Sequence, residues 1–270
     1  MVQYCNAACK KKHRSKHKKA CERRVAELHD EELFKEPPLP EECPICFLTL
    51  PFHERQAIFK SCCGKLICNG CIYAMREEAR GRGEIGLCAF CREPKATSEE
   101  EDIKRTKKLM ETDNSHAFYA LAGAYETGNM GMPQDMTKAN ELYLKAGELG
   151  CTEAYYNLGV AYNNGRGVEV DMKKAEYYFE LAAMRGCTKA RFALGCYEGN
   201  AGNEHRAFKH FILAAKAGHK KSLDQVKKGF MHGIVTKDGY ANALRAYQSR
   251  QGEMKSEDRD RAALLSQIFP

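Results

Sequence analysis

The sequence predicts a mainly α-helical protein, in which a small cysteine-rich α+β module precedes an α-solenoid built from helical hairpins. Two observations lead to this fold class. Eight of the fourteen cysteines fall between residues 42 and 92, in a segment too short to bury a sizeable apolar core. From residue 117 onward the chain repeats itself every 36 to 37 residues, and a period in this range is typical of stacked helical pairs.

The eight cysteines form four close pairs. In chain order these are Cys43 and Cys46, Cys62 and Cys63, Cys68 and Cys71, and Cys88 and Cys91. A Cys-x2-Cys pair turns two sulfurs toward one metal, and two tetrahedral zinc sites need eight thiolates. Bound metal would supply much of the folding free energy of so short a module. Buried free cysteines, or disulfides of a secreted domain, are the alternative explanations.

The order and spacing of the pairs resemble a RING finger in its all-cysteine variant. The resemblance implies two Zn²⁺ ions in a cross-braced fold, with the ligands Cys43, Cys46, Cys68 and Cys71 on one ion and Cys62, Cys63, Cys88 and Cys91 on the other. It also implies contact residues for a ubiquitin-conjugating enzyme. Ile45, Ile72 and Phe90 would supply apolar contacts, and Arg92 would brace the conjugated ubiquitin.

The second cysteine pair departs from the family pattern. Cys62 and Cys63 are adjacent, and neighbouring side chains of an extended chain point apart. Both therefore reach one metal only where the backbone turns sharply, which Gly64 permits. His53 is the alternative ligand at this site.

The composition indicates an intracellular, soluble protein, cytoplasmic or nuclear. Cysteines clustered in one part of the chain favour metal ligands in a reducing compartment. No run of 18 apolar residues is present, so no membrane span is predicted, and residues 1–12 lack the apolar centre of a signal peptide.

The positive charge belongs to one segment. The net charge is +7, and residues 10–24 carry nine Lys or Arg and one Glu, so the remainder sums to about −1. The basic segment has no interleaved aromatic residues, which single-strand binders use for stacking. A solvated helix face explains it, and a nuclear-localisation or nucleic-acid patch is the alternative. We do not expect nucleic acid as a partner.

The N-terminal segment, residues 1–26, carries a second metal-ligand pattern in Cys5, Cys9, His17 and Cys21. Each successive pair has i, i+4 spacing, which places its members on one helix face. The pattern resembles the C-terminal half of a MYND zinc finger, which implies that these four residues bind zinc. The four upstream cysteines of that family are absent. A truncated finger, a single makeshift site and a relic are the three hypotheses.

The segments between these patterns define the expected domains. A proline-rich linker is expected at residues 27–40, and the RING-type finger at residues 41–95. A charged linker helix follows at residues 96–113, where Ser98-x-x-Glu101 resembles a capping box. The solenoid is expected at residues 114–250, and a charged tail at residues 251–270.

The repeats have a clear internal alignment. Ala117-Phe-Tyr-Ala-Leu returns as Ala154-Tyr-Tyr-Asn-Leu and as Ala190-Arg-Phe-Ala-Leu, and a degraded fourth copy starts near Ser222. Asp135 and Asp171 are suited to begin the second helix of a unit, and glycines such as Gly150 and Gly186 are suited to end it.

The repeat pattern resembles SEL-one-like repeats, relatives of the tetratricopeptide family. The resemblance implies a protein-binding solenoid without chemistry of its own. Cys151 and Cys187 occupy the same place in successive copies and are therefore expected to be repeat residues rather than metal ligands.

Two hypotheses for function follow. In the first, the protein is a RING-type ubiquitin ligase, an E3 transferase that positions a conjugating enzyme while the repeats hold a substrate or adaptor protein. In the second, it is a non-catalytic zinc-finger and repeat scaffold. Ile45, Phe90 and Arg92 favour the ligase. The lack of tryptophan, and Ala89 where the RING family often has proline, favour the scaffold.

Overall fold

The computed structural model of the chain describes residues 18–50, 56–82 and 86–268. In chain order its elements are α1 (Lys18–Leu33), β1 (Ala57–Lys60), β2 (Lys65–Cys68), α2 (Asn69–Arg82), α3 (Glu99–Met110), α4 (Ser115–Thr127), α5 (Met136–Glu148), α6 (Thr152–Asn164), α7 (Met172–Met184), α8 (Thr188–Asn200), α9 (Glu204–Lys216), α10 (Lys220–Met231), α11 (Lys237–Glu253) and α12 (Glu257–Ile268). The protein is mainly helical, as predicted, and none of its described helices is long and apolar enough to cross a membrane.

The cysteine-rich module contains the strand pair and α2. β1 and β2 are antiparallel, with Ile58 opposite Ile67 and Lys60 opposite Lys65. Ile67, the buried member of the first pair, belongs to an apolar cluster that also contains Leu50 and Ile72 together with several cysteines. This small cluster is the core of the module.

The helices of the repeats begin and end where the sequence predicts. Asp135 Oδ1 accepts a hydrogen bond from the N–H of Lys138 at 2.9 Å, and Asp171 Oδ1 accepts from Lys173 and Lys174 at 3.0 Å each. These carboxylates cap α5 and α7, because the first N–H groups of a helix have no partner within it.

Two glycines let the paired helices of a repeat approach closely. A β-carbon on Gly159 of α6 would lie 2.5 Å from ring atoms of Phe179 on α7. One on Gly195 of α8 would lie 2.5 Å from ring atoms of Phe211 on α9. The aromatic ring therefore packs directly on the helix backbone, and the same glycine–phenylalanine contact recurs in the next repeat.

The solenoid core runs from α4 to α8 and continues into the last hairpin. Buried alanines from successive helices contribute to it, together with large residues such as Leu158 and Phe179. A second cluster joins Phe211 to Val226 of α10 and Ala243 of α11. The degraded fourth copy is thus a helical hairpin.

Two helices occupy segments for which the sequence predicted a linker and a charged tail. α1 continues to Leu33 through the first part of the segment predicted as a linker, and the prolines from Pro37 onward follow it. The predicted charged tail contains α12, which packs on α2 of the cysteine-rich module.

The helix predicted after Ser98 is α3. Ser98 Oγ accepts from the N–H of Glu101 at 3.2 Å, and Glu101 Oε2 accepts from the N–H of Thr97 at 2.7 Å. The start of α3 is therefore capped from both sides, with the reciprocal bond at Thr97 rather than at Ser98.

Candidate metal centre

The first group of sulfurs joins the first and third cysteine pairs. Cys43 and Cys46 lie on a loop closed by a bridge between Glu42 and Thr49, whereas Cys68 ends β2 and Cys71 lies in the first turn of α2. Cys43 Sγ is 3.8 Å from Cys71 Sγ, and Cys46 Sγ is 3.8 Å from Cys68 Sγ. The strand-to-helix transition brings these four residues together.

The adjacent Cys62 and Cys63 lie in the turn between β1 and β2. The N–H groups of Cys63 and Gly64 both donate to Lys60 O, at 3.2 and 2.7 Å. Gly64 has a φ of 69°, in the left-handed region that glycine adopts at low cost. The sharp turn required for two neighbouring cysteines to face one metal is therefore present.

The second group of sulfurs forms where this turn meets the last cysteine pair. Cys88 and Cys91 lie on a loop closed by a bridge between Leu87 and Pro94. Cys91 Sγ is 3.5 Å from Cys62 Sγ, and Cys63 Sγ is 4.0 Å from Cys88 Sγ. The second and fourth pairs thus combine, and the two groups interleave along the chain.

The sulfur spacing fits tetrahedral zinc. Zinc–sulfur bonds of about 2.3 Å in a tetrahedron hold neighbouring sulfurs about 3.8 Å apart, and the four measured distances lie between 3.5 and 4.0 Å. Within each group all four sulfurs lie within 4.8 Å of one another. The cysteines are free, and a disulfide would need a separation of about 2.05 Å. Each group could hold one metal ion, and soft thiolate donors favour zinc.

Within each group, the pKa values of the thiols favour the binding of one cation by all four sulfurs. Burial opposes ionisation of Cys43 and Cys88, but backbone N–H groups of their loops outweigh it, and the pKa of each falls to about 7. Burial, reinforced by neighbouring sulfurs, raises the pKa of Cys62 and Cys71 well above the ordinary thiol value. Crowded thiols ionise together only when a cation offsets their repulsion.

The residues expected to contact a conjugating enzyme have different environments. Phe90 is 43 % exposed, Arg92 is exposed and Ile45 is half-buried. Ile72 is only 6 % exposed and packs within the module core, so we assign it a packing role. Phe47 directly follows Cys46, and Arg92 directly follows Cys91. Both have left-handed backbone conformations, with φ of 57° and 64°.

The N-terminal ligand pattern is only partly within the described residues. Cys5, Cys9 and His17 lie outside them, as does His53, the alternative ligand of the second group. Cys21 is buried on α1, and neither of the two metal-type groups in the described chain includes it. Zinc binding by the half-finger stays a prediction.

A basic residue of the C-terminal helix completes the surroundings of the first group. The guanidinium of Arg259 on α12 donates to Thr49 O at 2.7 Å and to Leu48 O at 3.2 Å, and its Nη2 lies 3.4 Å from Cys46 Sγ. Arg259 is 9 % exposed. Sequence reasoning missed this residue, because nothing in the charged C-terminal segment points to a partner 210 residues away.

The second group is tied to the start of the repeats. Asn114 caps α4 by accepting from Ala117 N at 3.0 Å, and its amide donates to Gly64 O at 3.2 Å. Ser61 of the same turn donates to the carboxylate of Asp102 on α3. The turn that carries Cys62 and Cys63 is therefore positioned by the helices that follow the module.

Comparison with protein families identifies the repeats. A model described as Sel1 repeat matches three consecutive units, at residues 115–151, 152–187 and 188–219. No RING or MYND family model matches the chain, and no curated protein matches it.

Three solved structures are similar to parts of this chain, and one of them shares the fold of the repeats with a TM-score above 0.5. A protective antigen of uropathogenic Escherichia coli, c5321, described as having an SLR fold, is 24 % identical with a TM-score of 0.51, over 65 % of this chain and 40 % of that one. A Sel1 repeat protein from Oxalobacter formigenes is 22 % identical with a TM-score of 0.48, over 69 % and 71 %. Immunity protein Pa5087 of Pseudomonas aeruginosa is 22 % identical with a TM-score of 0.41, over 67 % and 65 %. Residues 115–219 are three Sel1 repeats, a scaffold for protein interaction.

Proposed function

We propose that the chain is a zinc-binding RING-type ubiquitin ligase whose Sel1 repeats recruit a substrate or partner protein. The observation that carries this proposal is the pair of interleaved four-cysteine groups with zinc-like sulfur spacing. Cys43, Cys46, Cys68 and Cys71 hold one ion, and Cys62, Cys63, Cys88 and Cys91 hold the other. Zinc supplies folding free energy here rather than reaction chemistry.

The transfer itself is catalysis by positioning. A ligase of this type contributes no nucleophile; it holds a charged conjugating enzyme and favours one reactive arrangement of the bound ubiquitin. Ile45 and Phe90 contact the enzyme, and Arg92 braces the ubiquitin. The exposure of Phe90 and Arg92 leaves both available to a partner.

An assay with purified, zinc-loaded full-length chain and a panel of conjugating enzymes tests the proposal through autoubiquitination. Ile45→Ala should weaken the enzyme complex about thirtyfold, because an apolar interface anchor contributes ~2 kcal/mol or more, while both zinc ions are retained. Ile58→Ala is the matched control, since Ile58 is 40 % exposed on β1 of the same module. Equal loss in both variants would contradict a contact role for Ile45.

Arg92→Ala should separate binding from transfer. Alanine and arginine meet the same backbone strain at a φ of 64°, so the change removes the guanidinium without new strain. We expect the affinity for the conjugating enzyme to stay within about twofold and ubiquitin discharge to slow by about tenfold or more. Arg80→Ala, an exposed arginine on α2 paired with Glu77, should leave both rates unchanged.

A non-catalytic scaffold is the second candidate. It is favoured by the packing of α12 on α2, because part of the module is then already engaged by the chain itself. The burial of Ile72 in the module core also favours it, because one of the expected apolar contacts is then not exposed to a partner. Wild-type chain that binds two zinc ions yet neither ubiquitinates itself nor stimulates discharge with any enzyme tried would establish this candidate over the ligase.

A further inference from the structure

The last turn of α1 lies against the surface where α7, α8 and α9 meet. We call this surface the helix-end site and define it by five residues: Glu180, Arg191, Arg206, Lys209 and His210. Leu33 of α1 is 1 % exposed and belongs to the same core cluster as the repeats.

Phe34, the next residue, packs on the basic part of the site. Its ring centroid is 4.7 Å from that of His210. The Arg206 guanidinium lies 5.2 Å from the Phe34 ring centroid, and Lys209 Nζ lies 5.1 Å from it. Cations at these distances from an aromatic ring are attracted to its face.

Arg191 binds the main chain at the end of α1. Its Nη1 donates to Leu33 O at 2.5 Å and its Nη2 to Lys35 O at 3.4 Å. The last carbonyls of a helix lack partners within it and carry the negative end of its dipole. Arg191 is buried, and burial alone lowers its pKa to about 10. The site thus contains a buried cation suited to a helix C-terminus.

Arg206 adds selectivity for an acidic side chain. Its Nε lies 2.5 Å from Glu198, which orients the guanidinium, and its Nη1 lies 2.5 Å from the carboxylate of Asp30. Asp30, Leu33 and Phe34 have i, i+3 and i+4 spacing, so all three lie on one face of the last turn. The bound motif is Asp-x-x-Leu-Phe.

The rest of α1 is mostly exposed, apart from Cys21 near its start, which is buried. Between residues 22 and 32, Val25 and Asp30 are half-buried and all other side chains are exposed. His29 Nε2 reaches Glu180 Oε2 at 3.2 Å at the edge of the site. Asp30, Leu33 and Phe34 thus carry the acidic and apolar contacts of this helix end with the repeats, and an equivalent turn of another helix could replace them.

We propose that the helix-end site is a docking site for acidic helices that end in Asp-x-x-Leu-Phe, and that α1 is its intramolecular occupant. A partner protein with this motif binds there in exchange for α1. The inference rests on the protein-binding role of the repeats in the proposed function and is independent of ubiquitin transfer.

The probe is a synthetic, fluorescein-labelled peptide of residues 22–38, in which Arg23, Arg24 and Lys35 are replaced by Gln. Anisotropy should show that full-length Leu33→Asp chain binds it at least thirtyfold more tightly than wild-type chain, because its own α1 no longer fills the site. Equal binding by the two chains, with circular dichroism showing both folded, would overturn the proposal.

A charge swap tests the motif. Arg206→Glu added to the Leu33→Asp chain should weaken peptide binding at least tenfold, and an Asp30→Arg version of the peptide should restore it. Lys173→Glu is the matched control, because it reverses an exposed charge on α7 away from the site and should have no effect. Peptide binding that does not depend on opposite charges at position 30 of the peptide and position 206 of the chain would refute the assigned motif.

Wild-type chain provides a readout that does not depend on a variant folding. Trypsin cleavage after Lys35, whose carbonyl Arg191 holds, should accelerate at least tenfold when the peptide, which trypsin cannot cut, is in excess. No acceleration would overturn the exchange of α1. Ubiquitin transfer that persists while the peptide fails to bind would leave the proposed ligase activity standing and remove only this inference.

Discussion

Replacing Arg259 with methionine should release α12 from the cysteine-rich module. Methionine preserves much of the length and apolar contact of the side chain but donates no hydrogen bond. Of the lost bonds, the one to Met254 O at 2.9 Å is local, whereas those to Thr49 O at 2.7 Å and Leu48 O at 3.2 Å join α12 to the module.

The expected size of the effect comes from those cross-contacts. Hydrogen bonds that involve a charged group contribute about 1.5–3 kcal/mol each, and Arg259 is buried enough that solvent screens them little. Taking the lower value for the two carbonyls gives about 3 kcal/mol, or roughly a hundredfold shift toward undocked helix. The longer contact with Cys46 Sγ at 3.4 Å adds to this.

Hydrogen–deuterium exchange read by mass spectrometry measures the prediction. Amides of α12 should exchange roughly a hundredfold faster in Arg259→Met than in wild type, and a colorimetric chelator should remove zinc from the first group faster. Arg261→Met is the control, because Arg261 lies on the same helix and is exposed, 3.5 Å from Glu257.

A second variant reaches the same contact from the other side. A β-carbon on Gly70 would lie 2.7 Å from Arg259 N and Cγ, so Gly70→Ala should also undock α12. Protection of α12 that stays within threefold of wild type in both Arg259→Met and Gly70→Ala would refute the docking argument.

Three further predictions concern metal, capping and pH. Elemental analysis should find two zinc ions per chain, and one or fewer in Cys68→Ser, whereas Cys151→Ser, outside both groups, should keep two. Asp171→Ala should lower the free energy of unfolding by about 1 kcal/mol through loss of the α7 cap, with Asp171→Asn nearly neutral by thermal denaturation. Burial, and then the charges of Arg191 and Arg206, lower the pKa of His210 to about 3. Below about pH 6.5 the unfolded chain takes up this proton while the folded chain does not. The free energy of unfolding should therefore fall by about 2 kcal/mol between pH 8 and pH 5 through His210. Urea titrations at each pH should show that His210→Gln lacks this contribution to the pH dependence.

Local patterns predicted much of the fold. The caps Asp135 and Asp171, and the helix after Ser98, depend on hydrogen bonds between residues two to four positions apart, which the sequence displays directly. The grouping of the cysteines was also predictable, through a resemblance to a family with interleaved sites. The conformation of Gly64 followed from the need to turn two adjacent cysteines toward one metal.

The docking of α1 could not be predicted from local pattern, although one residue carried a signal. Arg191 stands in the third repeat where the first two have Phe118 and Tyr155. An arginine at a core position of a repeat requires acceptors from elsewhere, since an unpaired buried charge is costly. The sequence indicated that Arg191 needs hydrogen-bond acceptors. It did not indicate that Leu33 and Lys35, more than 150 residues earlier, supply them through their carbonyls.

The folding of the cysteine-rich module and its position relative to the repeats depend on interaction free energies of very different size. A structural zinc ion contributes about 10–16 kcal/mol in small fingers, whereas each hydrogen bond between the module and the helices contributes about 1–3 kcal/mol. With zinc bound as proposed, the metal would therefore decide whether the module folds. The bonds from Asn114 to Gly64 and from Arg259 to Thr49 decide where it lies relative to the repeats. These two bonds come from the helices that begin and follow the solenoid, so the orientation of the cysteine-rich module depends on both ends of the repeat array.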